Sequence, residues 1–330
     1  MRESTRCGVG ATEQPDCRKT VTSSRNAGRS PSCGRISVTP LQVQFDAKPK
    51  LTNHSPCMTL PDSLVSAVRS RKAILFAGAG LSCTLGLPLF DVLTTYLAER
   101  LNFSTAKEFD FRTLSEYYLL ETCENSELFA WMRATWCPSG VDIRSSRAHH
   151  CITDLDFPVI YTTNYDSWLE SAFEARGKPF RKVVNVTDLA ESDGSETEII
   201  KFHGDLDHPS SIVLTESSFL RRMSLEEPLD IRLRSDSLGQ PIVFVGYSLS
   251  DPNIRYLLYK LQQLWAQHSQ EQRKPKSYIL LAERNEVQER LLLERGVEPI
   301  VSEEEDPSRG LTRFFEALRE AVQSGPSCTA

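Results

Sequence analysis

The chain has 330 residues, of which 40% are hydrophobic and 25% charged, and 38 basic against 44 acidic residues give it a net charge of −6. This composition is typical of a globular protein. The acidic balance argues against direct nucleic-acid binding, and no apolar run approaches the ~18–20 residues of a membrane span. The nine Cys form no CxxC pair. Their spacing therefore excludes a zinc ribbon and is typical of reduced cytoplasmic thiols.

Residues 1–57 differ from the rest of the chain. They carry nine basic and four acidic residues, are rich in Ser, Thr, Arg, Pro and Gly, and lack apolar periodicity. Such a segment buries too little apolar surface to offset the entropy of ordering, and it has no apolar core of a secretory signal. We interpret it as a disordered extension or as mistranslated upstream sequence before a true start at Met58. A transit peptide is a further reading of its Arg- and Ser-rich composition.

From Met58 onward, short apolar strands alternate with helices. Helices are predicted from about residue 60 to 68, over 89–101 and over 309–323, with a helical, aromatic insert over about 104–157. Strands are predicted at 72–77, 158–163, 198–202, 241–245, 276–282 and 296–301. This alternation predicts an α/β fold with a Rossmann-like, doubly wound parallel sheet. The folded domain is expected over 58–305, followed by a C-terminal helix and tail over 306–330.

Four of the predicted strands end in a polar motif. In doubly wound sheets, ligands bind beyond the carboxyl ends of the strands, so one shared site explains the four motifs better than chance does. The motifs are Gly78-Ala79-Gly80-Leu81-Ser82, Thr163-Asn164-Tyr165-Asp166, His203-Gly204, and Gly246-Tyr247-Ser248 leading to Asp251-Pro252-Asn253.

The first two motifs each leave two interpretations open. Small residues after a strand let the backbone approach a pyrophosphate, but a glycine turn can also serve packing alone. Asn164 and Asp166 suit hydrogen bonding to ribose hydroxyls, an amide or a water, but either can simply cap the helix that begins near Trp168.

The other two motifs offer a base and a hydroxyl. His203 at a strand tip, with Gly204 beside it, suits a general base near neutral pH, although a lone His is more commonly structural. His149, His150 and His208 are assigned that structural role. Ser248 is the better ligand candidate of the last motif, because Asp251 before Pro252 is typical of a helix cap.

With all four motifs placed in this order, the chain resembles the sirtuin family. More narrowly, it is similar to the zinc-less sirtuin-like NADase domains of bacterial anti-phage defence, in which runs like Thr162-Thr163-Asn164-Tyr165-Asp166 and Gly246-Tyr247-Ser248-Leu249 are common. The resemblance covers about residues 60–305. It implies an NAD-binding domain with a helical insert and no zinc ribbon.

The resemblance also implies roles for individual residues. Ala79, Gly80 and Ser82, in the turn that begins at Gly78, would meet the pyrophosphate. Asn164 and Asp166, next to Thr163, would line the pocket of the nicotinamide ribose, with His203 as the catalytic base. Ser248, after Gly246, would bind toward the phosphate and ribose, and Glu283 is assigned to the adenosine ribose.

Departures from the protein deacylases of the family separate NAD binding from deacylation. Deacylases hold a four-Cys zinc module between the motifs that correspond here to His203-Gly204 and Gly246-Tyr247-Ser248, but residues 204–245 contain no Cys. After Ser82 the chain reads Gly86-Leu87-Pro88-Leu89-Phe90-Asp91, where deacylases have Gly-Ile-Pro-Asp-Phe-Arg. Leu89 and Asp91 thus stand in place of the Asp and the Arg of that run. A Phe-Gly-Glu stretch after the His is also missing. Each difference argues against peptide deacylation.

The sequence therefore favours a cytoplasmic NAD+ hydrolase that cleaves the nicotinamide–ribose bond with Asn164, His203 and Asp166 as its catalytic residues. By resemblance it would be an NAD-depleting effector of anti-phage defence. We expect such an enzyme to be restrained by homo-oligomerisation or by a separate partner, an ATPase or a short Argonaute-type protein. The alternatives are a zinc-free deacylase or ADP-ribosyl transferase, and a non-catalytic subunit that senses a nucleotide.

Overall fold

Seven strands form one fully parallel sheet in the computed structural model, which describes residues 58–103, 109–249, 251–267 and 274–324. The strands are β1 (Ile74–Ala77), β2 (Val159–Thr162), β3 (Phe180–Val183), β4 (Thr197–Lys201), β5 (Ile242–Val245), β6 (Ser277–Leu281) and β7 (Val297–Val301). Their order across the sheet is β3-β4-β2-β1-β5-β6-β7. The predicted extension over 1–57 and the end of the predicted tail, 325–330, lie outside the described residues.

Helices connect the strands and cover both faces of the sheet. They are α1 (Asp62–Arg69), α2 (Ala79–Cys83), α3 (Asp91–Arg100), α4 (Phe111–Thr122), α5 (Ser126–Trp136), α6 (Arg147–Leu155), α7 (Trp168–Ala175), α8 (Val186–Ala190), α9 (Glu216–Arg222), α10 (Pro228–Gly239), α11 (Pro252–Ala266), α12 (Glu286–Glu294) and α13 (Pro307–Gln323), with short 3₁₀ turns at Ile143–Ser145 and Pro209–Ser211. Within the described ranges, no helix is long and apolar enough to cross a membrane.

The central strands β1 and β5 read as continuous apolar runs because both of their faces are buried. Every residue of β1, β2 and β5 is buried. Along β1, Leu75 and Ala77 belong to the core that contains residues of α1, α6, α7 and α13. Ile74 and Phe76 belong to the opposite core, formed with α10, α11 and α12. The fold class is therefore confirmed: the protein is an α/β fold with a Rossmann-like, doubly wound parallel sheet.

A third apolar cluster builds most of the predicted helical insert. It joins buried residues of α3, α4 and α5 to Tyr165, Leu206 and Leu214 from the loops that follow β2 and β4. α6 also falls within the predicted insert, but it packs in the core beside α13. The insert thus contacts the loops at the carboxyl ends of the strands, where the polar motifs are.

One strand, β3, was not predicted. It reads Phe-Arg-Lys-Val, and three of its four residues are only half-buried. It lies at the edge of the sheet, where charged side chains are tolerated and no continuous apolar run is needed. The strand predicted third along the chain is consequently β4.

The strand order places the topological switch at the centre of the sheet. From β1 the chain builds β2 and then the edge pair β3 and β4 on one side, and it crosses to the other side of β1 to form β5. Ligands of doubly wound sheets bind at such a switch point, beyond the carboxyl ends of the strands. Here those ends are Gly78, after β1, and Gly246, after β5.

Candidate functional site

The glycine motifs that follow β1 and β5 pack directly on each other. The Gly78 N–H donates to the Val245 carbonyl at 3.0 Å, and the Gly80 N–H donates to the Gly246 carbonyl at 2.9 Å. The backbone N–H groups of Gly78 and Gly80 are therefore already hydrogen-bonded to the protein itself. This contact supports the packing role that the sequence left open for the turn. Contact of Gly78, Ala79 and Gly80 with a pyrophosphate stays a prediction.

Glycine is required here because the two backbones touch. A Cβ on Gly80 would lie 2.6 Å from the Gly246 Cα, and one on Gly78 would lie 2.5 Å from the Gly246 carbonyl oxygen. Gly246 also has a φ of +57°, which L-residues with side chains rarely adopt. The pair of loops at the switch point is thus specified by glycines from both sides.

A hydrogen-bonded chain joins the first motif to the second. The Asn164 side-chain amide donates to Ser82 Oγ at 2.9 Å, and Ser82 Oγ donates to Asp166 Oδ2 at 2.7 Å. All three side chains are at most 7% exposed. Asn164 Oδ1 is buried and has no hydrogen-bond partner among the described residues. Because an unpaired buried acceptor is costly, this oxygen is the feature of the site that most directly points to a ligand.

Asp166 takes the capping role that the sequence left open, while its contact with a ligand stays a prediction. Its Oδ1 accepts the Trp168 N–H at 3.3 Å at the start of α7, while its Oδ2 holds Ser82. Burial raises the pKa of Asp166 above its ordinary value, although the charge of Lys201 and the bond from Ser82 oppose that shift. The side chain therefore shapes the loop as well as contributing a carboxyl group to the candidate site.

His203 follows β4 on the strand next to the one that carries Asn164. Thr162 pairs with Lys201 in the β2–β4 register, so Asn164 and His203 each come two residues later, at the neighbouring strand ends. His203 is 5% exposed, and its ring packs against the Phe219 ring with centroids 5.0 Å apart. The topology thus brings the third motif to the same edge as the first two.

Asp251 pairs with His203, which sequence reasoning missed. Its Oδ2 lies 3.0 Å from His203 Nε2, and both side chains are 7% exposed. Its Oδ1 accepts the Asn253 N–H at 2.8 Å, so the predicted helix cap of α11 is also present. Burial raises the pKa of Asp251, but the charge of His203 and polar contacts with His203, Asn253 and Tyr247 outweigh it and hold the pKa below its ordinary value. The carboxylate is thus ionised opposite the imidazole.

A narrow aromatic cleft opens beside Asn164. Its lining is Ala79, Ser82, Pro88, Phe90, Trp136, Asn164, Tyr165 and Asp166, and its free volume is about 10 Å³. That is about the space of one water molecule. The Trp136 indole N–H donates to the Pro88 carbonyl at 3.0 Å and so ties the insert to the loop after β1. A nicotinamide ring can enter this cleft only if these side chains move.

The remaining residues singled out in the sequence are Thr163, Ser248, Glu283 and His149, and they differ in burial. Thr163 is buried, and its N–H donates to the Ala77 carbonyl at 3.3 Å. Ser248 is exposed in the loop after β5, and Glu283 is exposed in the loop after β6. His149 is buried and bonded to Ser146 Oγ at 2.7 Å, and burial lowers its pKa to about 3. This environment fits the structural role assigned to His149.

The described residues offer no group of three or more His, Cys, Asp or Glu side chains that could hold a metal ion. The cleft is lined by the buried Asn164 amide, whose oxygen has no partner among the described residues, and by the Asp166 carboxyl group. The His203 imidazole, which faces the Asp251 carboxylate, follows the neighbouring strand and is not part of the cleft lining. Such groups can orient a hydroxyl or a water molecule and accept its proton.

Comparison with known proteins supports the same family. Residues 158–300 match the family described as SIR2-like domain. The chain is 29% identical over 199 residues to the NAD(+) hydrolase ThsA of Bacillus cereus (strain MSX-D12), a match that covers 60% of this chain and 41% of that protein. It is 27% identical over 202 residues to the NAD(+) hydrolase ThsA of Acinetobacter baumannii (strain 532279), covering 61% and 41%.

A further relative is the Defense-associated sirtuin 2 of Bacillus subtilis, 26% identical over 211 residues, with 61% of this chain and 20% of that protein covered. The chain therefore spans less than half the length of the curated relatives it matches. The resemblance to the sirtuin-like family is confirmed, and the matched residues 158–300 include β2, β4 and β5 but not β1.

Proposed function

With the resemblance to the sirtuin-like family confirmed, we propose that this chain is an NAD+ hydrolase that breaks the nicotinamide–ribose bond. The observation that carries the proposal is the buried Asn164, whose Oδ1 has no partner among the described residues and which follows the strand next to that of His203. The relatives named NAD(+) hydrolase ThsA support the same reaction.

The proposed reaction needs a held ribose, a single water and a base. As the bond between C1′ and the nicotinamide nitrogen breaks, its electron pair neutralises the positive ring, and C1′ gains oxocarbenium character. Asn164 orients the ribose or the attacking water. His203 accepts a proton from a ribose hydroxyl or from the water, and Asp251 holds the imidazole and stabilises its charged form. The products are nicotinamide, ADP-ribose and a proton.

Water exclusion is the contribution of the aromatic walls. Phe90, Trp136 and Tyr165 surround the small cleft next to Asn164 and Asp166. A closed, apolar wall strengthens every electrostatic contact inside the site and limits the number of water molecules admitted. In this proposal, Asp166 supports the ribose and the cationic nicotinamide, while Ser82 links it to Asn164.

The biological setting that we propose is defence against phage, with the enzyme depleting cellular NAD+. This follows the relative named Defense-associated sirtuin 2. We propose that the enzyme is cytoplasmic. We also propose that it is restrained by homo-oligomerisation or by a separate activating partner, such as an ATPase or a short Argonaute-type protein, because unrestrained NAD+ loss would harm its own cell.

The test is product analysis by mass spectrometry after NAD+ is added to the purified protein. A positioned base contributes on the order of 10²–10⁴-fold to rate, so His203→Ala and Asn164→Ala should each lose nearly all nicotinamide release. His150→Ala is the matched control, because this half-buried His lies on α6 away from the cleft. Circular dichroism should show all the variants folded. Release at the wild-type rate by His203→Ala would overturn the assignment.

The alternatives differ in what they need besides NAD+. A zinc-free deacylase or ADP-ribosyl transferase requires an acceptor, so release of nicotinamide from NAD+ alone separates hydrolysis from both. A non-catalytic sensor would retain the nucleotide and form no product at any protein concentration. The His203–Asp251 pair favours catalysis over sensing, because nucleotide binding alone does not need an imidazole held by a carboxylate.

A further inference from the structure

A lysine lies completely buried at the end of the strand that carries the candidate base. Lys201 is the last residue of β4, two residues before His203, and it is 0% exposed. An isolated ammonium group in such a place would be very costly. Its partners therefore decide what it does.

The partners come from three different parts of the chain. Lys201 Nζ lies 3.2 Å from Glu170 Oε1 on α7 and 3.9 Å from Asp205 Oδ2, and it donates to the backbone carbonyl of Asp166. Asp205 Oδ2 is also 3.1 Å from Lys182 Nζ on β3. The two lysines and the two carboxylates of Glu170 and Asp205 balance in charge. Below, these four residues are called the Lys201 cluster.

The Lys201 ammonium is held in its charged form. Burial lowers the pKa of Lys201, but the negative charges of Glu170, Asp166 and Asp205 raise it more, so the pKa lies above its ordinary value. The donor bond to the Asp166 carbonyl is consequently charge-assisted, and such bonds are roughly twice as strong as neutral ones.

Stability alone is a weak reason for the cluster. Apolar side chains of similar volume often stabilise a core as well as a buried ion pair does, or better. What apolar side chains cannot supply is a directed bond to a carbonyl in the loop after β2. Lys201 makes that bond to the residue two positions after Asn164, while Lys201 and Asp205 stand two positions before and after His203. The cluster thus ties together the two loops that carry the candidate catalytic residues.

We infer that Lys201 is a positioning residue, which holds the Asn164–Asp166 loop in the geometry that His203 needs. This inference rests on the proposed function for its catalytic consequence. Its structural content, that Lys201 orders the loop after β2, can be measured without any turnover.

The test replaces the ion pair by methionines in Lys201→Met/Glu170→Met, which leaves the Lys182–Asp205 pair in place. The matched control is Arg232→Met/Glu198→Met. It removes an ion pair of 2.9 Å at the other end of the same strand, where Glu198 is also buried. Both double variants lose one acid and one base, so their net charge is that of the wild type.

Two readouts separate positioning from packing. Hydrogen–deuterium exchange should be at least about tenfold faster at backbone amides 163–168 in the Lys201 variant than in the control, since opening of an ordered loop governs exchange. The kcat for nicotinamide release should fall by about 10–100-fold, because a displacement near 1 Å costs on the order of 10²-fold. The Kd for NAD+, measured in a His203→Ala background to prevent turnover, should change by less than about threefold, because uniform binding is retained.

Each outcome decides one question. Equal exchange at 163–168 in the two double variants, or a kcat equal to that of the control, would overturn the positioning role. Wild-type protein that releases no nicotinamide would overturn the proposed function and its catalytic consequence, while the exchange data would still decide whether Lys201 orders the loop. If the double methionine variant does not fold, Glu170→Gln gives a milder test, with the same amides exchanging faster and kcat reduced by about threefold or more.

Discussion

Replacing Gly246 by Ala tests whether the strand ends at the switch point are held together as tightly as the structure shows. The new Cβ would lie 2.5 Å from the Leu81 backbone nitrogen and 2.8 Å from the Gly80 carbonyl carbon. Both are backbone atoms, so no flexible side chain can move aside. The φ of +57° adds a second cost, because Ala rarely adopts this conformation.

The two costs can be separated with a control in the same chain. Gly177 has a φ of +63°, and a Cβ added to it meets nothing within 4 Å. Left-handed backbone costs about 1–2 kcal/mol for a residue with a Cβ, and Gly177→Ala should lose only this amount. Overpacking adds about 1–3 kcal/mol, so Gly246→Ala should lose about 2–5 kcal/mol in total. The effect of Ala on the unfolded chain is the same at both positions and cancels in the comparison.

Urea unfolding followed by circular dichroism measures both losses. Typical domains have about 5–15 kcal/mol of stability, so we expect Gly246→Ala to remain folded at 25 °C while its β1 and β5 loops move apart. Its NAD+ affinity should therefore fall as well, and that of Gly177→Ala should not. Equal losses of stability in the two variants would refute the close backbone contact, as would NAD+ binding by Gly246→Ala at the wild-type affinity.

Two further predictions concern the carboxylates of the site. In Asp251→Asn the helix cap is kept, since Asn caps as well as Asp, but the charge opposite His203 is lost. Nicotinamide release should fall by about 10–100-fold, as expected when a buried polar group loses its charged partner, and unchanged activity would contradict the pairing. The pKa of Asp251 is lowered in the folded state, so the stability that its ionised form contributes is present above its unfolded pKa of about 3.9. This contribution disappears as pH falls through the lower folded pKa. The melting temperature of the wild type should therefore exceed that of Asp251→Asn at neutral pH by more than it does in acid. Asp166→Asn should lose activity yet be at least as stable as wild type at pH 8, because burial raises the pKa of Asp166 and penalises its ionised form. That penalty is fully present above the raised folded pKa and vanishes below the unfolded value, so the two melting temperatures should converge below about pH 4; a variant clearly less stable than wild type at pH 8 would contradict this reasoning.

The sheet was predictable because its central strands are buried on both faces. Apolar runs such as Ile74–Ala77 and Ile242–Val245 stand out from their surroundings and end at Gly or polar residues. β3 could not be found in this way, because an edge strand with Arg181 and Lys182 lacks an apolar run. Convergence of the strand tips at one edge followed from the parallel order alone.

Contacts between the motifs were harder to predict from the sequence, because they depend on which strands are neighbours in the sheet. Asp251 looks like a plain helix cap from its local sequence, and only the position of β5 and the start of α11 bring its second oxygen to His203. The packing of Gly246 on Gly80 likewise requires β5 to lie beside β1. A signal for Lys201 was present: a charged residue within the apolar run Ile199-Ile200-Lys201-Phe202 of an interior strand needs a buried partner.

The wide spacing of the site along the chain affects the order in which it can come into being. Ser82 precedes β2 in the chain, whereas Asp251 follows β5. The end of β5 accepts hydrogen bonds from the glycine turn after β1, through the carbonyls of Val245 and Gly246. A nascent polypeptide that has emerged only as far as β4 has the imidazole without its carboxylate and the turn without its support. The proposed activity therefore requires a chain that has folded as far as α11, because a fragment that ends at β4 lacks both contacts.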